Sequence, residues 1–134
     1  MTKPGKPDEA ALQTWVVAAV KSGAIRGKYG RPFIASVPNQ RGIKPKVQTL
    51  KRLVNEGMVP GFPDLIVFYN GYATCIELKS PARAGKPEKA LSENQERTIG
   101  HLAEAQIDTL VSKDFDEVMA WVKDFLAVVD KKNN

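Results

Sequence analysis

The stretch from Gly61 to Ser80, GFPDLIVFYNGYATCIELKS, decides the fold of this chain. Two largely apolar runs flank the dipeptide Asn70-Gly71, and both of these residues tolerate the positive φ angles that a type I′ turn requires. The stretch is therefore predicted to be a β-hairpin, with one strand over Asp64–Tyr69 and the other over Tyr72–Lys79. Because a two-residue turn sets the pairing of the strands, it also sets which side chains share a face.

The predicted register gathers charged side chains at the open end of the hairpin. Asp64 lies opposite Glu77, and the Cβ atoms of such a pair are about 4.5–5.5 Å apart. Lys79 shares their face, because it lies two residues beyond Glu77. Facing carboxylates repel each other, and burial strengthens the repulsion. A divalent cation relieves it, with the Leu78 carbonyl as a further ligand; the alternative is a structural salt-bridge cluster around Lys79.

The same residue types suit the hydrolysis of a phosphodiester. That reaction needs an oriented water molecule and compensation of the negative charge that develops on the phosphate. A Mg²⁺ or Mn²⁺ ion held by Asp64 and Glu77 supplies positive charge and lowers the pKa of a bound water. A neighbouring lysine orients that water and stabilises the developing charge, and Lys79 is in the place to do so. The hairpin therefore predicts a metal-dependent hydrolase.

Charge is unevenly distributed along the chain, whose formal net charge is +5. No acidic residue occurs between Lys21 and Arg52, whereas acidic residues predominate from Glu104 to Asp130. A one-sided basic surface is typical of proteins that bind nucleic acid, although a solvated basic surface is the alternative. The side chains expected to contact DNA phosphates are Arg41, Lys44, Lys46, Lys51 and Arg52, followed by Arg83 and Lys86 in a Gly- and Pro-containing loop.

Length and composition exclude several classes of protein. The 134 residues predict a single domain over residues 1–134, with flexible tails at 1–7 and 130–134. No apolar run approaches the ~20 residues of a membrane span, and the first residues have no apolar signal core. The single cysteine and single histidine exclude an intrachain disulfide and most zinc hydrolase sites. We expect an intracellular protein that does not interact with membranes.

Helical and strand patterns alternate along the rest of the chain in the order αβαββαβα. The Ser-x-x-Gln sequence from Ser92 to Gln95 predicts a capping box at the head of the third helix. Such an order predicts an α/β domain with a mixed β-sheet flanked by helices. The other predicted elements are a helix from Asp8 to Ser22, a strand over 32–38, a helix over 44–56, a strand over 107–111 and a helix from Asp114 that ends before the C-terminal tail.

Pro63-Asp64 followed by Glu77-Leu78-Lys79 resembles the PD-(D/E)xK nuclease superfamily. With LSENQ after a basic loop, the chain is similar to the virus-type replication-repair nuclease domain, which also forms the catalytic end of the Fanconi-associated nuclease. The leading Glu9 and Gln13, four residues apart, match the family pattern. VPNQR, from Val37 to Arg41, resembles the segment before the second helix, although the family more often has Asn-Glu where this chain has Asn39-Gln40.

The resemblance covers essentially the whole chain and implies a restriction-endonuclease-like core in a stand-alone nuclease domain. It implies that Asp64, Glu77 and the Leu78 carbonyl bind Mg²⁺ or Mn²⁺, with Glu9 supporting the metal. Lys79 and Gln95 complete the implied catalytic set, and Gln13 and Asn39 support it. Stand-alone members look like homodimeric nucleases that act on branched DNA, including four-way junctions, in bacteria and phages.

The expected function is therefore metal-dependent endonuclease activity on branched DNA in replication, recombination or repair, in a bacterial cytoplasm and encoded by a bacterium or a phage. The proposed step is in-line attack by a metal-activated water, which leaves 5′-phosphate and 3′-hydroxyl ends. Two alternatives stay open at this point. One is a restriction-type nuclease with another DNA target, and the other is a non-catalytic DNA-binding protein on a nuclease fold.

Overall fold

The computed structural model describes residues 8–38, 46–80 and 91–133. The elements follow the predicted order αβαββαβα. No helix of the described part is long and apolar enough to span a membrane. The elements are α1 (Glu9–Lys21), β1 (Phe33–Ser36), α2 (Val47–Asn55), β2 (Leu65–Tyr69), β3 (Tyr72–Leu78), α3 (Glu93–Glu104), β4 (Thr109–Ser112) and α4 (Phe115–Lys132).

The four strands form one mixed sheet in the order β1-β2-β3-β4. β1 and β3 each pair antiparallel with β2, and β4 joins β3 in parallel. The turn residues Asn70 and Gly71 have φ angles of 47° and 83°, as a type I′ turn requires. Tyr69 pairs with Tyr72 and Leu65 with Ile76, so the predicted hairpin register is confirmed.

The hydrophobic core lies between one face of this sheet and the two longest helices. α1 buries Leu12, Val16 and Val20 there, at the spacing of one helical face. Burying each such side chain stabilises the fold by about 1.5–3 kcal/mol relative to leaving it exposed. The other buried apolar side chains of this core are Ile25, Ile34, Leu65, Val67, Tyr69, Ile76, Leu78, Val118, Val122, Leu126 and Val129.

The opposite face of the sheet is less completely covered. α2 has an apolar stripe, as its sequence predicts, but none of its residues is buried, and Val47 is 69% exposed. Its start was predicted at Lys44, which lies outside the described residues, and the helix begins at Val47. On the sheet itself, the neighbouring rings of Phe33 and Phe68 are both exposed. The charged end of the hairpin lies on this more open side, because Asp64, Ile66 and Phe68 alternate with the core positions of β2.

α4 continues to Lys132, past Asp130, where the sequence predicts that a flexible tail begins. Asp130 explains the difference. Its Oδ1 accepts a 2.6 Å hydrogen bond from the Tyr69 hydroxyl, and its Oδ2 accepts a 2.9 Å bond from the backbone N–H of Lys28. These partners come from distant parts of the chain, so the anchoring of the helix end is a tertiary contact that a local sequence pattern does not reveal.

The Asp130 contacts make stability depend on pH in the acid range. The hydrogen bond from Tyr69, followed by that from Lys28, lowers the pKa of the Asp130 carboxyl below its usual value. A carboxyl with a lowered folded-state pKa contributes stability above its unfolded pKa, and this contribution is lost as the pH falls through the folded value. We expect urea unfolding to show that wild type exceeds Asp130→Asn in stability at pH 7 and that the gap narrows near pH 3. An equal gap at both pH values contradicts this assignment.

Candidate active site

Asp64 lies immediately before β2 and is only 2% exposed. The last backbone pair of the hairpin is Leu65 with Ile76, one pair earlier than predicted. Beyond it, Asp64 Oδ2 accepts a 2.8 Å hydrogen bond from the backbone N–H of Leu78. The carboxylate therefore takes the place of a strand carbonyl at the end of the ladder. This contact holds it against the backbone next to Glu77.

Glu77, Lys79 and Gln95 form a connected group at the same end of the sheet. Glu77 is 4% exposed, and its Oε1 accepts a 2.8 Å hydrogen bond from Gln95 Nε2. Lys79 Nζ donates a 2.9 Å bond to Gln95 Oε1 and lies 3.9 Å from Glu77 Oε1. Gln95 thus bridges a buried carboxylate and an ammonium group, which sets their separation and orientation.

Gln95 also belongs to the predicted capping box of α3. Ser92 Oγ accepts from the backbone N–H of Gln95 at 3.1 Å, and the backbone N–H of Ser92 donates to Gln95 Oε1 at 2.9 Å. The Gln95 side chain therefore caps the helix and also contacts both Glu77 and Lys79. The capping box prediction is confirmed, and it explains how the side-chain amide is held in place.

The head of α3 is positioned by the loop that precedes β2. A Cβ atom added at Gly61, whose φ is +78°, would clash with the backbone of Asn94, so only glycine permits this approach. The Thr98 hydroxyl donates a 2.9 Å hydrogen bond to the carbonyl of Pro60. Sequence reasoning missed Gly61 and Thr98, because only the docking of two distant segments makes them significant.

A cavity of about 740 Å³ opens beside Asp64, between α1 and β1. Gln13, Lys21 and Asp64 are among its lining residues, so the predicted supporting glutamine shares this space with the predicted metal ligand Asp64. Glu9 lies in the first turn of α1 and is half-buried. Across the described ranges, no three His, Cys, Asp or Glu side chains lie close enough together to hold a metal ion. Glu9 is therefore not gathered with Asp64 and Glu77, and its metal role stays a prediction.

The residues at the hairpin end fit a hard divalent cation. Two buried carboxylates and the adjacent Leu78 carbonyl are oxygen donors of the type that Mg²⁺ and Mn²⁺ use. Mg²⁺ commonly takes only one or two protein carboxylates, together with waters and phosphate oxygens, so a third carboxylate is not required. Burial raises the pKa of the nearby Cys75 thiol to about 11, so this group is protonated at neutral pH and is a poor candidate nucleophile.

The predicted DNA-contacting residues within the described part are exposed. Lys46 precedes α2, and Lys51 and Arg52 lie on it. Arg52 Nε lies 3.9 Å from Glu56 Oε1, a solvent-exposed pair of the kind that contributes little to stability. The remaining predicted residues lie outside the described ranges: Asn39, Arg41, Lys44, Arg83 and Lys86.

The double role of Gln95 is separable by mutation. Ser92→Ala removes the helix cap alone, which costs about 1 kcal/mol, whereas Gln95→Ala also removes the bridge between Glu77 and Lys79. We expect both variants to lose a similar free energy of unfolding, and only Gln95→Ala to lose most of the predicted nuclease activity. Urea unfolding and single-turnover cleavage on the same preparations measure the two effects. Equal cleavage by both variants means that Gln95 acts only as a cap.

Comparison with solved structures supports the fold described here. One, titled "VRR_NUC domain protein", aligns with a TM-score of 0.65 and 22% identity, over 94% of this chain and 92% of its own. Another, titled "VRR_NUC domain", aligns with a TM-score of 0.52 and 16% identity, over 86% of this chain and 94% of its own. No protein-family model and no curated protein sequence matches the chain. At these identities the likeness shows the fold, and the predicted α/β fold, a mixed sheet flanked by helices, is confirmed.

Proposed function

We propose that this chain is a metal-dependent DNA endonuclease of the virus-type replication-repair nuclease family. The observation that carries the proposal is the group at the end of the hairpin. Asp64 rests against the backbone of Leu78, while Gln95 joins Glu77 to Lys79. The likeness of the whole fold to two structures titled as VRR_NUC domains supports the same assignment.

The described residues have separable roles in this proposal. Asp64, Glu77 and the Leu78 carbonyl would hold the Mg²⁺ or Mn²⁺ ion, and Glu9, in the first turn of α1, would support it. When bound, the metal supplies positive charge to the scissile phosphate and acidifies water. Lys79 Nζ orients the attacking water and stabilises charge on the phosphate oxygens. Gln95 is a positioning residue, because it holds Glu77 Oε1 and Lys79 Nζ at 2.8 and 2.9 Å.

The chemical step is hydrolysis of one phosphodiester bond. Water attacks phosphorus opposite the 3′ oxygen, a new P–O bond forms and the P–O3′ bond breaks. The departing oxygen takes up a proton, which leaves 5′-phosphate and 3′-hydroxyl ends. Lys79 contributes to this step without acting as a nucleophile, since its Nζ is engaged with Gln95 beside the buried Glu77.

The proposed substrate is branched DNA, such as a four-way junction, and the proposed active form is a homodimer. Two symmetric copies place two such sites so that two strands of a junction are cut in concert. The exposed basic residues Lys46, Lys51 and Arg52 supply phosphate contacts, which give affinity and salt sensitivity but little sequence specificity. Structure rather than sequence is therefore the proposed basis of recognition.

Cleavage of a set of labelled DNA structures tests the proposal. Four-way junction, flap, nicked duplex and plain duplex are incubated with Mg²⁺, Mn²⁺ or EDTA, and Lys79→Ala serves as the inactive control. We expect cleavage of the junction in either metal and none in EDTA. Discrete fragments from plain plasmid DNA would indicate a restriction-type nuclease instead. Salt-dependent binding without cleavage in any metal would indicate a DNA-binding protein that lacks catalysis.

A further inference from the structure

Four exposed aromatic rings surround a cavity of about 500 Å³ at the turn end of the hairpin. The exposed fractions of Tyr29, Phe33, Phe68 and Tyr72 are 44%, 67%, 42% and 38%. We refer to these four residues as the aromatic surface. Such a concentration of exposed rings around one concavity is typical of an interaction site, whereas single exposed apolar residues are ordinary.

The rings of the aromatic surface are held by the fold rather than by one another alone. Phe33 and Phe68 are a directly opposed pair on β1 and β2, with ring centroids 6.1 Å apart. The backbone of Tyr29 is held in place because its N–H donates a 2.8 Å hydrogen bond to the hydroxyl of the buried Tyr69. Binding on such a surface orders few additional side chains, which lowers its entropic cost.

Positive charge accompanies the aromatic surface. Arg31 lines the same cavity, Lys28 Nζ lies 5.6 Å from the centre of the Tyr29 ring, and Lys132 Nζ lies 5.2 Å from that of Tyr72. Among the described residues that line the cavity, none is acidic. The pattern of exposed rings among cations matches single-stranded nucleic acid, whose bases stack on aromatic faces while its phosphates attract lysine and arginine.

A second copy of the chain is a weaker candidate for this surface. In a two-fold symmetric contact the same patch meets itself, so Arg31 and the two lysines of one copy approach the same group of cations on the other. Like charges brought together in this way are destabilising. An unpaired DNA strand instead offers negative charge and flat apolar faces together, which complements both components of the surface.

We propose that the aromatic surface binds an unpaired segment of the DNA substrate through base stacking. The proposal rests on the proposed nuclease function, and it adds that branched DNA with a single-stranded segment next to the cut arm is bound in preference to a fully paired four-way junction. β2 runs from Asp64 at the charged end of the hairpin to Phe68, four residues further along, so the two sites lie about 13 Å apart at the ~3.3 Å rise per strand residue. A substrate that reaches both sites joins a duplex to an unpaired strand.

Fluorescence anisotropy in EDTA tests this binding without any cleavage. The probes are a labelled oligothymidine and a labelled duplex of equal length. Each is titrated with wild type and with the double variant Phe33→Ala/Phe68→Ala. Val128→Ala, on α4, is the control for loss of an exposed apolar side chain. We expect the double variant to bind oligothymidine about tenfold more weakly, since one stacked base contributes roughly 5- to 100-fold in affinity. Duplex binding is expected to change less than twofold.

A second variant and a sizing experiment complete the test. Phe33→Trp retains a stacking face and is expected to bind oligothymidine at least as tightly as wild type. Equal affinity of wild type and the double variant for oligothymidine overturns the proposal. The proposal is also overturned if the sizing experiment shows that the double substitution converts a dimer to a monomer while DNA binding is unchanged. That result assigns the surface to a second copy of the chain.

Failure of the two proposals is distinguishable. If wild type cleaves none of the DNA structures, but the double variant loses oligothymidine binding, the nuclease proposal is refuted and the proposal for the aromatic surface is supported. A protein that cleaves junctions in Mg²⁺, with oligothymidine binding unaffected by the double substitution, retains the nuclease function and refutes this surface.

Discussion

Glu77→Gln is expected to reduce DNA cleavage by about 1,000-fold or more while leaving the fold intact. The substitution removes the negative charge that is proposed to help hold the metal, and groups that stabilise transition-state charge are worth 10²–10³ in rate even singly. It retains an Oε1 atom that accepts the 2.8 Å hydrogen bond from Gln95. Single-turnover cleavage of a labelled four-way junction in Mg²⁺ measures the loss.

Metal binding by the same variant is measured without reference to activity. A ligand that binds only the folded state raises stability by about 2.7 kcal/mol at one hundred times its dissociation constant. We expect Mn²⁺ to raise the melting temperature of wild type and to have little effect on Glu77→Gln. Without metal, the variant is expected to melt at or slightly above the wild-type temperature, because one of two buried carboxylate charges is gone. Cleavage by Glu77→Gln at the wild-type rate shows that this carboxylate is not a catalytic metal ligand.

Lys79→Met is expected to reduce cleavage by about 100- to 1,000-fold and to retain metal binding. Methionine has a similar length and no charge, so the variant removes the Nζ contacts with Gln95 and Glu77 and keeps much of the apolar stem. Without this ammonium group, less positive charge compensates the negative charge of the buried carboxylates Asp64 and Glu77. Mn²⁺ is therefore expected to raise the melting temperature of Lys79→Met by at least as much as that of wild type.

The contrast with Glu77→Gln is the informative part of this experiment. Lys123→Met, on the exposed side of α4, is the matched control for loss of a lysine charge, and it is expected to cleave at the wild-type rate. If Lys79→Met loses cleavage and its response to Mn²⁺ together, the lysine organises the metal site instead of acting on water or phosphate. If it cleaves normally, its contact with Gln95 is purely structural.

Much of the fold could be predicted from local sequence because each decisive signal is short. Asn70 and Gly71 adopt the positive φ angles that their residue types favour, and these angles set the register of β2 and β3. The capping box of Ser92 and Gln95 spans a single turn of α3. Such signals depend on residues that are only a few positions apart in the chain, so they are identified from the amino-acid sequence alone.

The arrangement of the candidate site required the tertiary structure. Gln95 was predicted to lie near the site, but its bridge between Glu77 and Lys79 depends on where α3 docks. That docking depends on the close approach of Gly61 to Asn94, a contact between separate segments. No periodicity or motif in the sequence around Gly61 predicts this contact with Asn94.

Other differences have the same origin. A flexible tail was predicted from Asp130 because chain termini commonly fray, yet α4 continues past this residue and Tyr69 binds Asp130 from across the molecule. Tyr69 and Tyr72 face each other across the turn, yet the structure buries Tyr69 and leaves Tyr72 38% exposed. Residue type alone does not distinguish a buried ring from one at the edge of an open sheet face.

The sequence by itself determined which end of the hairpin carries Asp64, Glu77 and Lys79, because turn chemistry and strand alternation are properties of consecutive residues. Only the tertiary structure decided how Gln95 connects the carboxylate to the ammonium group, and which aromatic rings stay exposed. These outcomes depend on packing between segments that are far apart in the chain. Such packing is set by the shape and burial of the whole core, which no local pattern specifies.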